Sequence, residues 1–242
     1  MSWVLANLPT IAGHLLAHLL QAVPAIIASF VLAIPIARLA RTARPLRVVL
    51  VTGSSLLYAV PSLALFVILP IILATGIRDP LNVIVALTLY GLALLVPATA
   101  DALDAVDARV LDAATAMGMG RLRCFLTVEL PLAGPAILTG LRVVTVSTIS
   151  LTTVGAVLGV RSLGWLFTDG FQRGITAEIV TGLVATAALA LVLDGLVLAL
   201  GRLCLPWTWK RAGATGQVLE ADGASAAGGR ADNGREKPET ES

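Results

Sequence analysis

The feature that most constrains this chain is a series of long stretches without one charged side chain. These stretches are residues 1–37, 48–77, 80–100, 143–160 and 179–193. A helix of about 20 mainly apolar residues crosses a bilayer. Backbone N–H and C=O groups in lipid must bond within the protein, which favours helices. The chain is therefore predicted to be an all-α polytopic membrane protein.

Five membrane-spanning helices are predicted. They cover residues 14–37, 50–75, 81–100, 134–158 and 178–201. The second is long enough to tilt, and Pro61 and Pro70 are expected to kink it. Charged residues make up 13% of the chain, about half the share of a soluble domain. This composition excludes a soluble protein with a large core.

Basic residues predict the orientation, because Lys and Arg concentrate in cytoplasmic loops. Five spans leave three basic residues on one side, Arg78, Arg161 and Arg173. The other side holds Arg38, Arg41, Arg44, Arg47, Arg109, Arg121, Arg123, Arg202, Lys210 and Arg211. We therefore expect a multi-pass protein of the plasma (inner) membrane with its N-terminus outside and its C-terminus in the cytoplasm. The N-terminal stretch lacks the positive region of a cleavable signal peptide.

The loop at residues 101–133 is polar and helix-like between apolar neighbours. Asp107 can cap a helix, and Gly118 can end it. One face of this helix carries Val110, Ala114 and Met117. A second helical piece is expected to run to Pro131, which leads into the fourth span. From these residues alone, an amphipathic helix on the membrane surface is favoured over a docking site for a partner protein.

The spacing within this loop resembles the EAA loop of ABC-importer permeases. The sequence reads Asp112-Ala113-Ala114, three residues, Gly118, nine residues, then Val128-Glu129-Leu130-Pro131. The family pattern is Glu-Ala-Ala, three residues, Gly, nine residues, then Ile-x-Leu-Pro. Segments 59–70, 105–142 and 154–174 resemble the osmoprotectant branch of these permeases, which handles glycine betaine, choline, carnitine and proline betaine.

The resemblance implies a type I ABC importer permease fold and a role in solute import. In that family the loop holds a coupling helix that docks on a cytoplasmic ATPase. The residues that this assigns to ATPase coupling are Asp112, Ala113, Ala114, Gly118, Leu130 and Pro131. The implied partners are an ABC ATPase dimer, a second permease subunit, identical or paralogous, and an extracytoplasmic solute-binding protein.

This chain is not expected to be an enzyme, because its sequence has no phosphate-binding loop. ATP and Mg²⁺ would be used by the partner ATPase, and no cofactor is expected in the chain itself. Membrane lipid is expected around the spans, and no nucleic acid is expected as a partner.

Two charged residues lie inside predicted spans, Arg142 and Asp194. Each is about 12 Å from the cytoplasmic end of its helix. A lone charge at that depth costs about 2.5–3.5 kcal/mol on insertion scales. A structural ion pair between the two is therefore predicted, with a pore-lining or gating role as the alternative.

The residues that bind solute cannot be assigned from the sequence. Quaternary ammonium groups suit aromatic cages, but Tyr58 and Tyr90 are the only tyrosines. Selectivity is therefore expected in the binding protein. Hydroxyl groups are available on Ser62, Thr145, Ser147, Thr148, Ser150, Thr152 and Thr153. Most of these are expected to bond to their own helix backbone or to neighbouring helices.

No metal site is predicted, because His14 and His18 share a helical face but lack a third ligand. Cys124 and Cys204 are expected on the cytoplasmic side, where thiols stay reduced.

Residues 1–211 are predicted to form the transmembrane permease domain. Residues 212–242 are predicted to form a disordered cytoplasmic tail, because they are rich in Gly, Ala and acidic residues. One alternative is an ABC permease for another small solute, such as methionine or a sulfonate. The others are a non-transporting membrane scaffold and an integral enzyme.

Overall fold

The computed structural model describes residues 2–206, which contain helices and connecting loops and no strand. The helices are Ser2–Ala6, Leu8–Ala40, Arg44–Arg47, Val48–Thr52 (π-helical), Gly53–Tyr58, Ser62–Leu73, Pro80–Asp104, Ala108–Ala116, Arg121–Cys124, Phe125–Glu129 (π-helical), Leu130–Thr152, Thr153–Leu158 (3₁₀), Trp165–Arg173 and Thr176–Cys204. The predicted tail at 212–242 lies outside the described residues.

Four continuous helices in the described part of the chain are long and apolar enough to cross a membrane. A fifth candidate is a pair of helices, Arg44–Tyr58 and Ser62–Leu73, that meet at an angle of 111°. In chain order we name these spans 1 to 5: Leu8–Ala40, the bent pair, Pro80–Asp104, Arg121–Leu158 and Thr176–Cys204.

Contacts at its two ends show that the bent pair runs from one end of the helix bundle to the other. At its start, Arg47 forms an ion pair with Asp104, the last residue of span 3. After its second half, the Arg78 side chain lies against Gly159, which follows span 4. Span 3 separates these two places by its whole length. The bent pair therefore counts as one broken span, and the prediction of five spans is confirmed.

The break in span 2 lies at Pro61. A residue before proline avoids the α-helical region, and Pro61 itself adopts an extended conformation (φ −57°, ψ 127°). The break frees the Val60 carbonyl, which accepts a hydrogen bond of 2.6 Å from the Tyr90 hydroxyl of span 3. The expected kink at Pro61 is confirmed, whereas Pro70 lies inside the unbroken helix Ser62–Leu73.

The second helical piece of the polar loop and span 4 form one continuous helix. Instead of a separate helical piece that ends near Pro131, the helix runs without a break from Arg121 to Leu158. The turn Phe125–Glu129 is π-helical and immediately precedes Leu130 and Pro131. Proline lacks the N–H that an α-helix needs, and the wider turn before it lets the helix continue past Pro131.

Small residues bring spans 1, 3 and 4 close together. Ala33 of span 1 is fully buried against Leu95 and Val96 of span 3 and Val144 of span 4. Gly91 of span 3 lies so close to Ser29 of span 1 that a methyl group there would overlap the serine side chain. Lipid supplies no hydrophobic force between helices, so close packing of this kind holds them together.

Span 5 is a peripheral helix. It has four buried residues, whereas span 3 has thirteen. Two of the four are glycines, Gly182 beside Leu166 and Gly201 beside Leu138. Span 5 therefore leaves most of its surface free for lipid or for a partner.

We expect Gly91→Ala to destabilise the protein by about 1–3 kcal/mol, because the added methyl group overlaps Ser29 and comes within 3.3 Å of Val144. The thermal midpoint of the detergent-solubilised protein, followed by gel filtration, measures this loss. Gly53→Ala is the matched control, since a Cβ there meets no atom within 4 Å. Equal midpoints for the two variants would contradict the packing described for spans 1 and 3.

Candidate functional site

The polar loop between spans 3 and 4 contains one helix, Ala108–Ala116. The Asp107 carboxylate caps its start by accepting a hydrogen bond of 2.9 Å from the Arg109 amide, which confirms the predicted cap. The Arg109 side chain also donates to Asp107, with 2.8 Å between Nη2 and Oδ2. The hydrogen bonds from the Arg109 side chain and backbone hold the pKa of the Asp107 carboxyl below its usual value. The cap is therefore complete at neutral pH and is lost only as the pH falls through that lowered pKa.

The helix ends at Gly118 in a Schellman motif. The Gly118 amide donates to the Thr115 carbonyl at 2.9 Å, and the Met119 amide donates to the Ala114 carbonyl at 3.2 Å. This pair of bonds requires a left-handed residue after the helix, and Gly118 has φ +82°. A Cβ at Gly118 would meet no atom within 4 Å. The reason for glycine here is therefore backbone conformation and not space.

Most of the predicted coupling residues lie on an exposed surface. Asp112, Ala113 and Gly118 are exposed, whereas Ala114 is buried against the rest of the chain. Leu130 and Pro131 are half-buried in the first turn of the helix that continues span 4.

The expected apolar face of this helix is not buried as a whole. Ala114 is covered, but Val110 is exposed and Met117 is 72% exposed. The helix has nine residues, about two and a half turns. Val110, Ala113 and Met117 lie along one side of it, next to the buried Ala114, and Asp112 lies about 160° around the helix from Val110. Val110, Asp112, Ala113 and Met117 are all exposed.

An ion network joins the ends of spans 1 and 3 and the start of span 2 to the π-helical turn of span 4. Arg41, just after span 1, contacts Asp104 of span 3 with 2.7 Å between Nε and Oδ1, and its Nη1 donates to Glu129 of span 4. Arg47, at the start of span 2, donates to the other oxygen of Asp104. We call Arg41, Arg47, Asp104 and Glu129 the Arg41 clamp. Its members join spans 1 and 3, the start of span 2 and the π-helical turn that follows the polar loop.

A second contact at the same place is apolar. The Phe125 ring is buried among Ala37, Leu103 and Ile137, residues of spans 1, 3 and 4. The Arg38 guanidinium lies 4.1 Å from the centre of that ring, in the geometry of a cation–π contact. The π-helical turn is therefore held by both charge and packing, whereas the helix Ala108–Ala116 is held mainly through Ala114.

The Arg41 clamp was not found from the sequence. Arg38, Arg41, Arg44 and Arg47 were used only as evidence for orientation. Two signals were available: the three-residue spacing of these arginines, and the acidic residues Asp101 and Asp104 at the end of span 3. Residues three apart share one side of a helix, so these acidic residues and the arginines were candidate partners.

The structure brings together the two charged residues within the spans. Arg142 and Asp194 form a two-point ion pair, with Nε to Oδ1 at 2.8 Å and Nη2 to Oδ2 at 2.7 Å. An open cleft of about 390 Å³ adjoins them and is also lined by Thr139, Val143, Val146 and Ser147.

Several predicted hydroxyl residues bond to their own helix. Thr145 donates to the Leu141 carbonyl at 2.8 Å, and Thr152 donates to the Thr148 carbonyl at 2.7 Å. Thr153 donates to the Ser150 carbonyl at 2.6 Å. These three bonds agree with the expectation that most such hydroxyls satisfy themselves locally.

The two histidines pack inside the bundle. The His14 ring stacks on Trp165 with 4.7 Å between ring centres, and His18 is fully buried. Among residues 2–206, no third His, Cys, Asp or Glu completes a metal site with them. Cys124 is buried, Cys204 is exposed, and both are free thiols.

The sequence matches the family described as "Binding-protein-dependent transport system inner membrane component" over residues 25–209, which is more than half of the chain. The fold is similar to a structure titled "Inward facing conformations of the MetNI methionine ABC transporter". The TM-score is 0.71 and the identity 19%, over 84% of this chain and 97% of that one.

Two relatives illustrate the sequence similarity. The choline transport system permease protein OpuBD of Bacillus subtilis (strain 168) is 29% identical over 81% of this chain and 86% of its own length. The ergothioneine transport permease/ergothioneine binding protein EgtU of Helicobacter pylori (strain G27) is 33% identical over 58% of this chain. This match covers 25% of the Helicobacter protein, so the chain spans about a quarter of that relative's length.

Arg41→Gln is expected to lower the free energy of unfolding by about 2 kcal/mol, because it leaves Glu129, which is 13% exposed, without its charged partner. Glu129→Gln should have a similar effect. The double variant should lose less than the sum of the two, by about 0.5–3 kcal/mol. Thermal midpoints of the four detergent-solubilised proteins measure this difference.

Arg109→Gln is the control for this double-mutant cycle. The ion pair of Arg109 with Asp107 is exposed, and exposed pairs contribute little to the free energy of unfolding. Strictly additive losses at Arg41 and Glu129 would mean that the two side chains do not interact.

Proposed function

Because this chain belongs to the binding-protein-dependent transport system inner membrane components, we propose that it is the permease subunit of an ATP-driven importer for a small quaternary-ammonium solute. The chain provides the membrane passage, and ATP is hydrolysed by a separate ATPase subunit with Mg²⁺. The match over residues 25–209 includes the polar loop and spans 2 to 5, and it carries the conclusion.

The exposed surface of the helix Ala108–Ala116 is the contact for the ATPase. Its small size, the apolar Val110 and Met117, and the acidic Asp112 suit a shallow groove with a basic rim. A capped helix with a defined end is a rigid element, which a motor protein needs if its movement is to be transmitted. The ATPase acts as a dimer, with one such helix from each of two permease subunits.

Movement passes from this helix to the spans through the Arg41 clamp and Phe125. These contacts fix the start of span 4 to the ends of spans 1 and 3. When the ATPase displaces the loop, the spans joined by the clamp move with it and do not slide past one another. The clamp residues are positioning residues for transport.

The solute is of the quaternary-ammonium type: glycine betaine, choline, carnitine or proline betaine. The resemblance of segments 59–70, 105–142 and 154–174 to the osmoprotectant branch supports this class. The choline named for the Bacillus relative and the ergothioneine named for the Helicobacter relative both carry a trimethylammonium group. A separate extracytoplasmic binding protein delivers the solute, and a second permease subunit completes the passage.

The orientation follows from the positive-inside rule. The polar loop, the Arg41 clamp and the C-terminus lie in the cytoplasm, and the helix Trp165–Arg173 lies outside. This places the coupling helix where ATP is available.

A permease for another solute, such as methionine or a sulfonate, is the second candidate. The similarity to the methionine transporter concerns the fold alone, because the identity is 19%. Solute-binding assays on the assembled importer distinguish the two, since a sulfonate or methionine system would not bind betaines. Co-purification with an ATPase distinguishes both from a scaffold.

Gly118→Val is expected to reduce ATP-driven uptake of glycine betaine about 10-fold in proteoliposomes that contain the complete importer, because a β-branched residue resists φ +82° and the helix end is lost. Basal ATP hydrolysis should remain, while its stimulation by the loaded binding protein falls with uptake. Gly118→Asn should retain uptake, because Asn tolerates the left-handed conformation.

Gly120→Val is the matched control, since Gly120 is extended (φ −66°, ψ 154°) and a Cβ there meets nothing within 4 Å. Normal uptake by the Gly118→Val importer would argue strongly against a coupling role for the loop.

Labelling tests the orientation. Met117 and Phe171 are both highly exposed. Each is replaced by Cys, one at a time, in a protein whose Cys124 and Cys204 have been changed to Ser. A membrane-impermeant maleimide added to intact spheroplasts should label Phe171→Cys but not Met117→Cys. In permeabilised cells, the maleimide should label both variants. The reverse pattern in intact spheroplasts would invert the orientation.

A further inference from the structure

The ion pair of Arg142 and Asp194 lies deep within the membrane part of the chain but is only partly covered. The Arg142 side chain is 39% exposed and that of Asp194 is 21% exposed. Asp194 is about 15 Å from the Cys204 end of span 5, at 1.5 Å per residue. Both side chains open onto the cleft between spans 4 and 5.

Lipid would not stabilise the charged side chains that line this cleft. Charged side chains within membranes face the interior of an assembly or a water-filled cavity. In this chain the pair joins span 4 to span 5, which has only four buried residues, and so it lies at the edge of the bundle. Exposed charge at the edge of a single subunit requires either water or another subunit on that side.

The charged groups retain binding capacity towards the cleft. Asp194 occupies Nε and Nη2 of Arg142, and no residue among 2–206 accepts a hydrogen bond from Nη1. Thr139 and Ser147 add hydroxyl groups to the lining, and Val143 and Val146 add apolar surface. The open cleft has a volume of about 390 Å³, which is enough to hold a small solute.

We propose that the Arg142–Asp194 cleft lies on the translocation path and is a transit site for small zwitterionic solutes. The inference rests on the proposed importer function and specifies its solute class. The carboxylate of the solute binds the free edge of the Arg142 guanidinium, and its cationic nitrogen lies beside the Asp194 carboxylate. A second permease subunit faces the cleft across the path and separates it from lipid.

Charge balance selects the zwitterion. The pair carries no net charge, so it attracts a neutral dipolar solute that can align its two charges against those of the protein. A solute that is only cationic is attracted by Asp194 and repelled by Arg142. Glycine betaine and carnitine have both groups, whereas choline has no carboxylate. Choline therefore gains little from this site.

The site binds weakly, as a passage requires. No aromatic ring of residues 2–206 lines the cleft, so these residues form no cage for tight binding of quaternary ammonium there. Tyr58 and Tyr90 pack against each other at the break of span 2. Solute can therefore leave the cleft readily after it enters.

Accessibility to water tests the site without regard to the solute. Ser147, which lines the cleft, is replaced by Cys. Val192→Cys is the control, because Val192 is at nearly the same depth as Asp194 but about 200° around span 5 from it. Both are made after Cys124 and Cys204 are changed to Ser. In the complete importer, a charged methanethiosulfonate reagent should modify Ser147→Cys and leave Val192→Cys unmodified. A Ser147→Cys thiol that stays unreactive with and without ATP overturns the proposal.

Transport tests the solute class. Arg142→Gln/Asp194→Asn removes both charges and retains groups that can hydrogen bond across the two helices. Uptake of radiolabelled glycine betaine by the complete importer should fall about 10-fold, while uptake of choline should change less than about twofold. Membrane levels of the importer should stay near those of the unmodified protein.

Arg173→Gln/Asp169→Asn is the matched control, because it removes an exposed ion pair of 3.0 Å outside the cleft. Equal losses for glycine betaine and choline, together with lost assembly, would make the pair purely structural and overturn the proposal. Unchanged uptake of both solutes would overturn it as well. An unmodified importer that carries neither solute contradicts the proposed function instead, and reaction at Ser147→Cys then decides separately whether the cleft is on the path.

Discussion

The need to satisfy backbone hydrogen bonds in lipid underlies every part of this structure. It makes the described membrane part helical, and it allows breaks only where another group replaces the lost bonds. At Pro61 the Tyr90 hydroxyl takes the free carbonyl, and at Gly118, outside the apolar spans, a Schellman motif does the same for the helix end. Each interruption is therefore a specific structure with its own partner, and each occurs where the chain must turn or bend.

Between helices, the stabilising contacts are of two kinds. Spans 1, 3 and 4 approach through alanine and glycine along their length. At one end they are joined by the Arg41 clamp, where side chains reach partly hydrated surroundings. Close packing makes these spans one body, and the clamp attaches to it the π-helical turn that follows the polar loop. Under the proposed function, the exposed helix of the polar loop would receive the movement of the ATPase.

The sequence predicted the number of spans, the capping by Asp107 and the bend at Pro61, because each depends on local composition or on one residue's backbone chemistry. It did not predict the Arg41 clamp, whose members Arg41 and Glu129 are 88 residues apart. It did not predict that the helical piece before Pro131 continues without a break into span 4, since a π-helical turn there cannot be read from hydropathy. The proximity of Arg142 and Asp194 was expected from shared depth, but their partial exposure to a cleft depends on how far span 5 lies from span 4.

The deep ion pair also has a consequence for how the protein is made. Span 5 leaves the ribosome after span 4, and its aspartate alone would make its insertion less favourable by about 2.5–3.5 kcal/mol. Span 4 precedes it in the chain, so the complementary arginine is already in the bilayer when that aspartate arrives. The arginine thus lowers the cost of inserting the aspartate, and successful insertion of span 5 depends on the helix before it.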